Sequence, residues 1–483
     1  MATLEKNILD RAGKYNLSEL SIISYRQDKE ESKPKFIDIK GITLTMSITE
    51  DIFSNNIMGS VTVYDSQDIR TILPITGLER LSFKFNTPGL PGYDMSEGTG
   101  IPFQIYKVDS VRKDEQNDIG QFYKIYFCSP EMYYNQMASV SKAYSGPIEN
   151  AVLDLLRQKK YLNSKKPFYF ENTATNAKYV IPSLKPYKAI NYLSSQTLSG
   201  KYNNAGYLFY ETSKGFHFRS LGSLLALGGA RARPTRWNYQ TQITNVKDGK
   251  KDEVKDIEKR LQNIIKYEIG KPVDTLSNMI GGMYANKLVV HDAFNKTIKT
   301  HNFNYKDNYA KEFHTETIGS AADINKMITP IAQLNDTGKS LYEEADSKKM
   351  VVTETSKVHN DYEFTPTNLT LPKIVSQMSQ YKNMNLTILA HGYTMLNAGD
   401  IINFTEAIRQ PGEKKTDNPY TSGRYLIMAI KHTISVESKS HEMVLKCFKD
   451  SVRTPLPKEE DGLLVGIEDD TNFDIYKEDE KIA

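Results

Sequence analysis

Met384-Asn385-Leu386-Thr387-Ile388-Leu389-Ala390 decides how the chain is read, because it opens four strand-like segments in succession that run to Asp450. Leu386, Ile388 and Ala390 alternate with Asn385, Thr387 and Leu389, the period of two that puts one set of side chains on one face of a strand. Asn397-Ala398-Gly399-Asp400 supplies turn chemistry ahead of Ile401 to Phe404. After Ser422-Gly423, Leu426, Met428, Ile430, His432 and Ile434 share a face, as do Met443, Leu445 and Cys447 in the next run. This is the pattern of a small antiparallel barrel or sandwich.

Working outward, the same order of elements occurs between Gly59 and Ser129. Val61 and Val63 mark a strand, Gly77-Leu78-Glu79 turns into Leu81, Phe83 and Phe85, Phe103 to Val111 follows, and Phe122 to Cys128 closes the set. Gly77 stands 128 − 77 = 51 positions before Cys128 and Gly399 stands 447 − 399 = 48 before Cys447, with a turn glycine at one end and a strand cysteine at the other in both. Two readings fit this pattern: divergent copies of one β module, or two unrelated Greek-key barrels. Ahead of the first set, Ile42, Leu44, Met46 and Ile48 alternate with Thr43, Thr45, Ser47 and Thr49, which predicts a strand with one buried face.

With 483 residues the chain exceeds one core, and three or four domains are expected. A formal net charge of +3 excludes nucleic-acid binding by bulk charge, and 25% charged against 39% hydrophobic residues is ordinary for a water-soluble protein. No apolar run approaches the roughly 20 residues of a membrane span. The first residues lack the basic and apolar regions of a secretory signal, so folding in cytoplasm is expected, with Cys128 and Cys447 unpaired and buried in strands. The 30 tyrosines suit wet, hydrogen-bonded interfaces and lean toward assembly.

Between the two β sets the period lengthens. Ile148, Val152, Leu155 and Leu156 predict a helix through Lys160, Pro186 opens another with Ala189, Ile190 and Leu193 inward, and Leu208 to Phe218 reads as a hairpin. Val254, Ile257, Leu261, Ile264 and Ile265 form a helical stripe; a short helix is expected over 274–283, strands over 287–290 and 298–305, and a helix near 372–381. Arg231, Arg233 and Arg236 cluster after Gly228-Gly229. Without the glycine spacing and lysine of a nucleotide loop they read as a basic loop at an interface or facing a lumen.

Residues 1–35 read as an N-terminal extension ending in a charged linker. The C-terminal stretch 456–483 carries ten acidic residues against three lysines, interrupted by Leu463-Leu464-Val465-Gly466-Ile467 and Phe473-Asp474-Ile475-Tyr476. A solubilising tail and a docking segment fit the charge equally. The apolar islands favour docking in extended form through Leu463, Leu464, Val465, Ile467, Phe473, Ile475 and Tyr476.

Catalytic patterns are lacking. His291 and Asp292 are strand neighbours pointing to opposite faces, His301 and His314 have no partner at ligand spacing, and neither a nucleophile elbow nor a zinc helix nor a phosphate loop occurs. No catalytic residue, metal site or cofactor is expected.

Gly59-Ser60-Val61-Thr62-Val63-Tyr64-Asp65 with Leu81-Ser82-Phe83-Lys84-Phe85, Gly206 to Thr212 with Gly215-Phe216-His217-Phe218, and Ser422-Gly423-Arg424-Tyr425-Leu426-Ile427 through His432 resemble the baseplate central hub proteins of contractile-tailed phages, relatives of the hub part of type VI secretion spikes. The resemblance spans most of Phe36 to Asp450. It implies an α+β, β-rich fold with two tube-like antiparallel β-barrel domains and α+β accessory domains: the first barrel at 36–130, an α+β domain at 131–220, the second barrel at 221–247 and 384–455, and an inserted helix-rich α+β domain at 248–383. It further implies a homotrimeric virion protein, assembled in the host cytoplasm, that joins a three-fold central spike or needle protein to a six-fold tail tube. Baseplate wedge proteins and a tape measure protein are the other expected partners, with transient non-specific DNA passage. A cell-wall-degrading tail enzyme seated in 306–361 and a receptor- or glycan-binding tail module are the alternatives.

Overall fold

The computed structural model describes residues 9–25, 35–113, 120–174, 176–202, 204–230, 238–240, 260–270, 274–293, 295–309, 311–316, 341, 343, 345–354, 366–381, 384–408 and 416–452. Arg231, Arg233, Arg236 and the seven docking candidates of the C-terminal stretch lie outside them.

The alternating run at the start becomes strand β3 (Thr43–Asp51), preceded by β1 (Asn16–Ser24) and β2 (Lys35–Asp38) and followed by β4 (Met58–Asp65), helix α1 (Ile69–Ile72), β5 (Arg80–Asn86), β6 (Tyr93–Met95), β7 (Phe103–Lys113) and β8 (Gln121–Cys128). A bulge between Thr43 and Thr45 shifts the phase of β3, so Thr43, Met46, Ile48 and Glu50 face inward and Leu44 does not. Asn16–Ser24, within the stretch read as an extension, is a strand paired with β5 along Asn16 to Ile23. Phe83, Phe85, Phe103 and Phe127 fill the core of this module, with Phe85 stacked on Phe83, Phe103 edge-on to it and Phe127 tilted.

Next come α2 (Glu131–Met137), β9 (Val140–Pro147), α3 (Ile148–Arg157), β10 (Phe168–Phe170), β11 (Asn176–Leu184), α4 (Pro186–Ser195), β12 (Tyr207–Thr212), β13 (Gly215–Ser220) and α5 (Leu221–Ala230). Both expected helices and the hairpin form, and their apolar faces share one core with Val140 and Tyr179. Pro186 stands in the first turn of α4, where its missing N–H leaves no helix bond unmade.

The remainder comprises β14 (Asn238–Gln240), β15 (Ile264–Gly270), α6 (Thr275–Gly281), β16 (Ala285–Asp292), β17 (Thr297–Asn304), α7 (Tyr305–Tyr309), β18 (Lys349–Thr353), α8 (Thr367–Gln380), β19 (Met384–His391), β20 (Ile401–Thr405), β21 (Ala407–Ile408), β22 (Thr416–Asp417), β23 (Gly423–Ser435) and β24 (Ser440–Lys449). Ile264 and Ile265 lie not in a helix but in β15, which pairs antiparallel with β19 from Ile264 to Gly270. The second β set therefore draws a strand from the stretch assigned to the insertion.

One 14-stranded sheet runs through both β sets in the order β15-β19-β24-β23-β3-β4-β8-β7-β5-β1-β2, with β6, β14 and β20 beside it. All its ladders are antiparallel except β14 with β20. The path of pairings among the described residues is a continuous, β-rich, antiparallel sheet that is open at both ends.

Candidate assembly interface

The two β sets share more than element order. In the first, neighbours run β3-β4-β8-β7-β5; in the second, β15-β19-β24-β23-β20. Each set has a bulge on its first strand, between Thr43 and Thr45 or between Ile264 and Lys266. Each has another where its long strand meets the last one, between Ile105 and Lys107 or between Ile427 and Ala429. Bulges break a ladder at one defined place, and two in matching places mark one module present twice.

The turns agree as well. Glu79 accepts the N–H of Thr76 at 2.8 Å, and Asp400 accepts that of Asn397 at 3.0 Å. Ile105 N–H donates to the Glu79 carbonyl at 3.0 Å, and Ile427 N–H to that of Asp400 at 2.9 Å. The bulges correct the cysteine alignment by one residue: Cys447, opposite Ile427, corresponds to Phe127, opposite Ile105, so Cys128 and Cys447 occupy opposite faces. Both are buried free thiols, and burial pushes Cys128 up to about 12.

The modules meet edge to edge. β23 is long enough to serve two partners in turn on one side: Gly423 to Leu426 pair with β20, and Ala429 to Ser435 pair with β3. Beyond the ladder, Ile52 N–H reaches the carbonyl of the bulged Met428 at 2.9 Å, and Thr87 and Thr394 exchange bonds through their hydroxyls and N–H groups at 3.1 and 3.2 Å.

Polar groups sealed into this joint are titratable. Glu50, on β3, is fully buried and accepts from Tyr93 Oη at 2.6 Å, Ser213 N–H at 2.6 Å and Ala398 N–H at 3.1 Å. Burial outweighs those bonds and pushes its carboxyl up to about 7. His432 Nδ1 lies 3.0 Å from His441 Nε2, the two rings standing edge-on to Phe85. Burial lowers His432 to about 4 and holds His441 well below its usual range, so this pair is neutral.

A second sealed cluster ties the first module to the α+β stretch. Lys166 Nζ lies 2.8 Å from Glu131 and 2.5 Å from Glu211, while Glu211 also accepts Ile57 N–H at 3.0 Å and the Ser129 hydroxyl. Sequence spacing missed both clusters, whose members lie far apart along the chain.

His314, expected as a strand or surface histidine, is buried. Its Nδ1 is 2.7 Å from Asp450 and its Nε2 2.9 Å from the Tyr309 carbonyl. Two acceptors favour the imidazolium, and the Asp450 charge raises His314 against the desolvation that opposes it. Solvent does not reach the pair, which suits a tether rather than proton transfer to a substrate. In the β16–β17 hairpin His291 lies opposite Ile298 and His301 opposite Leu288, so the two histidines are not paired. Among the described residues no His, Cys, Asp and Glu group has metal-site geometry, and no helix is long and apolar enough to cross a membrane.

The surface of the described residues offers strand edges and, among its openings, an apolar groove beside β7. Beyond Gln104, β7 has β8 as its only ladder partner, and β15 has only β19 among the described residues. Beside β7, Met58, Tyr106, Cys128, Met132, Tyr133, Gln136 and Met137 line an open groove of about 500 Å³. Met137 is 70% exposed, Met58 43% and Tyr106 42%, an unusual grouping of apolar surface.

No family model and no curated protein matches this chain. Among solved structures, a tail protein from Neisseria meningitidis MC58 is 10% identical at TM-score 0.46, with 90% of this chain and 97% of that one covered. The 43 kDa tail protein of prophage MuSo2 from Shewanella oneidensis is 8% identical at TM-score 0.49, covering 90% and 99%. An E. coli protein described as a component of the type VI secretion system with structural similarity to bacteriophage tail proteins is 8% identical at TM-score 0.38, covering 86% and 76%. The solved structures to which this chain is similar are thus two tail proteins, one of them from a prophage, and a component of the type VI secretion system.

Proposed function

We propose that this chain is a structural protein of a phage tail baseplate, a trimeric hub that adapts a three-fold central spike to the six-fold tail tube and lets DNA pass. The duplicated module carries this reading: five strands in the same order, with both bulges kept, joined edge to edge inside one chain. A subunit with two equivalent modules presents six of them when three copies meet, which is what matching three-fold to six-fold symmetry requires. Each module is taken as one tube-like domain, at 36–130 and at 221–247 with 384–455, the stretches 131–220 and 248–383 being accessory.

Recognition in such a hub resides in strand edges and loops over large interfaces, not in a pocket. The spike or needle, the tail tube protein, the wedge proteins and the tape measure protein are its partners in the virion. Leu463, Leu464, Val465, Ile467, Phe473, Ile475 and Tyr476 dock the acidic stretch on one of them, and Arg231, Arg233 and Arg236 line an interface or the lumen. The chain is assembled in the host cytoplasm, uses no cofactor and catalyses no reaction.

Absolute mass by light scattering over a dilution series, with negative-stain images of the same fractions, tests the reading. A three-subunit ring with six-fold-like views is expected. A monomer at every concentration overturns the hub.

A further inference from the structure

We propose that Lys166 and Glu211 condense into an intramolecular isopeptide bond, with Glu131 as the base, so that the buried ion pair of the first two becomes a covalent cross-link. The inference concerns the chemistry of this cluster and does not rest on the assembly reading.

The cluster brings together an amine, a carboxyl to be attacked and a second carboxyl to carry protons. Lys166 Nζ is 2.5 Å from Oε1 of Glu211 and 2.8 Å from Oε2 of Glu131. So close to one carboxyl oxygen of Glu211, the nitrogen stands about 3 Å from the carboxyl carbon, a near-attack distance. The other oxygen of Glu211, Oε2, accepts the N–H of Ile57 at 3.0 Å and the Ser129 hydroxyl. Both donors are aimed at the atom on which negative charge develops when the carbon turns tetrahedral. Glu131 is held in place by the Ser164 hydroxyl, which donates to its Oε1 at 2.6 Å and leaves Oε2 to the amine.

The surroundings favour the uncharged product. The side chains of Lys166, Glu131 and Glu211 are 8%, 2% and 0% exposed, and the Phe103 and Phe216 rings stand 5.2 and 5.6 Å from the amine. In water an amine and a carboxylic acid stay ionised, and hydrolysis of an amide is downhill. Here burial disfavours the charged reactants, and bulk water is kept from the amide that replaces them. Burial raises the Glu211 carboxyl against the pull of the Lys166 charge, so Glu211 is the acid that is attacked. At Lys166 the charges of Glu131 and Glu211 outweigh burial and keep the resting group an ammonium, which is why a base is needed.

The Glu131 carboxylate takes one proton from the ammonium, and Nζ bonds to Cδ of Glu211. A second proton of the amine passes through Glu131 to the Oε1 hydroxyl, the bond from Cδ to Oε1 breaks, and water leaves. One ammonium, one carboxylic acid and one carboxylate become an amide, a water and a carboxylic acid, with no outside reactant. The reaction happens once per chain and turns over no substrate. The amide oxygen keeps the Ile57 and Ser129 donors, and the bond joins positions 45 residues apart, fastening the approach to β10 onto β12.

Intact-mass spectrometry of the denatured full-length chain tests the bond. The native protein should be lighter than its sequence by one water, and digestion should release a branched peptide joining Lys166 to Glu211. Lys166→Arg should keep the full mass. Glu131→Gln, with its fold checked by circular dichroism, should form the bond at least about a hundredfold more slowly. A native chain that retains its full mass after long incubation at neutral pH holds an ion pair only and overturns the proposal, as does a water loss that maps to other residues. A bond that forms equally fast in Glu131→Gln overturns the role of that residue as base. The native mass and the branched peptide decide the matter even where a variant fails to fold.

Discussion

Glu50 shows how one side chain records the closing of the joint. Its carboxyl titrates near 4.5 when exposed and about 7 when buried, so the folded state binds the proton more tightly, and stability is lost as pH rises through 4.5 to 7. Neutral His432 acts in the opposite sense, adding stability as pH rises from about 4 to 6.5. Glu50→Gln keeps the acceptor for Tyr93 and Ser213 without the charge. Its gain over the native protein in urea unfolding should grow through that window to on the order of 3 kcal/mol above pH 7. A difference that ignores pH would remove the ionisation of Glu50 from the account. Lys166→Met leaves Glu131 and Glu211 buried without their cation, and should cost about 3–5 kcal/mol by denaturant midpoint. Residues of this kind were not legible in the sequence: Glu50 continues the alternation of Met46 and Ile48 and reads as one more strand position, and Asp450 lies 136 residues from the His314 it holds.

Elements were legible where periodicity was unbroken and lost where a bulge or a partner strand overrode it. The alternation in Leu386 to Ala390 and in Met46 to Ile48 marks real faces because each buries one side against an aromatic core. Spacing that also suits a helix misplaced Ile264 and Ile265, since pairing with β19 satisfies their backbone and decides the conformation. The one-residue error at the cysteines has the same origin: a bulge adds a residue to one strand only, and a count along the chain cannot locate it. Close approach also fixes β4, where a Cβ on Gly59 would stand 2.3 Å from the Phe127 ring and 2.5 Å from the Ser47 carbonyl oxygen. Gly59→Ala should therefore cost roughly 1–3 kcal/mol, and Phe127→Leu added to it should return part of the loss, both read from thermal unfolding. Additive losses in the double variant would mean that the ring is not what excludes the methyl.

At the scale of the molecule, the succession of most strands along each module was readable, but β15 and the seam between modules were not, because β3 and β23 are joined by register alone. Continuous pairing across that seam makes the two modules one cooperative unit. Calorimetry should show them melting in a single transition, and two well-separated transitions would contradict the joint. Deleting residues from 384 onward should leave the first module with β3 unpaired along Thr45 to Asp51 and prone to self-association, measured by light scattering against the intact chain. The same seam bears on biosynthesis. β3 leaves the ribosome well ahead of its partner, Ala429 to Ser435. At about 5–20 residues per second, the nascent first module waits roughly 20–80 s with a bare edge. Neighbouring nascent chains on one message could capture it during that interval, so the cell must complete each polypeptide before it lets copies meet.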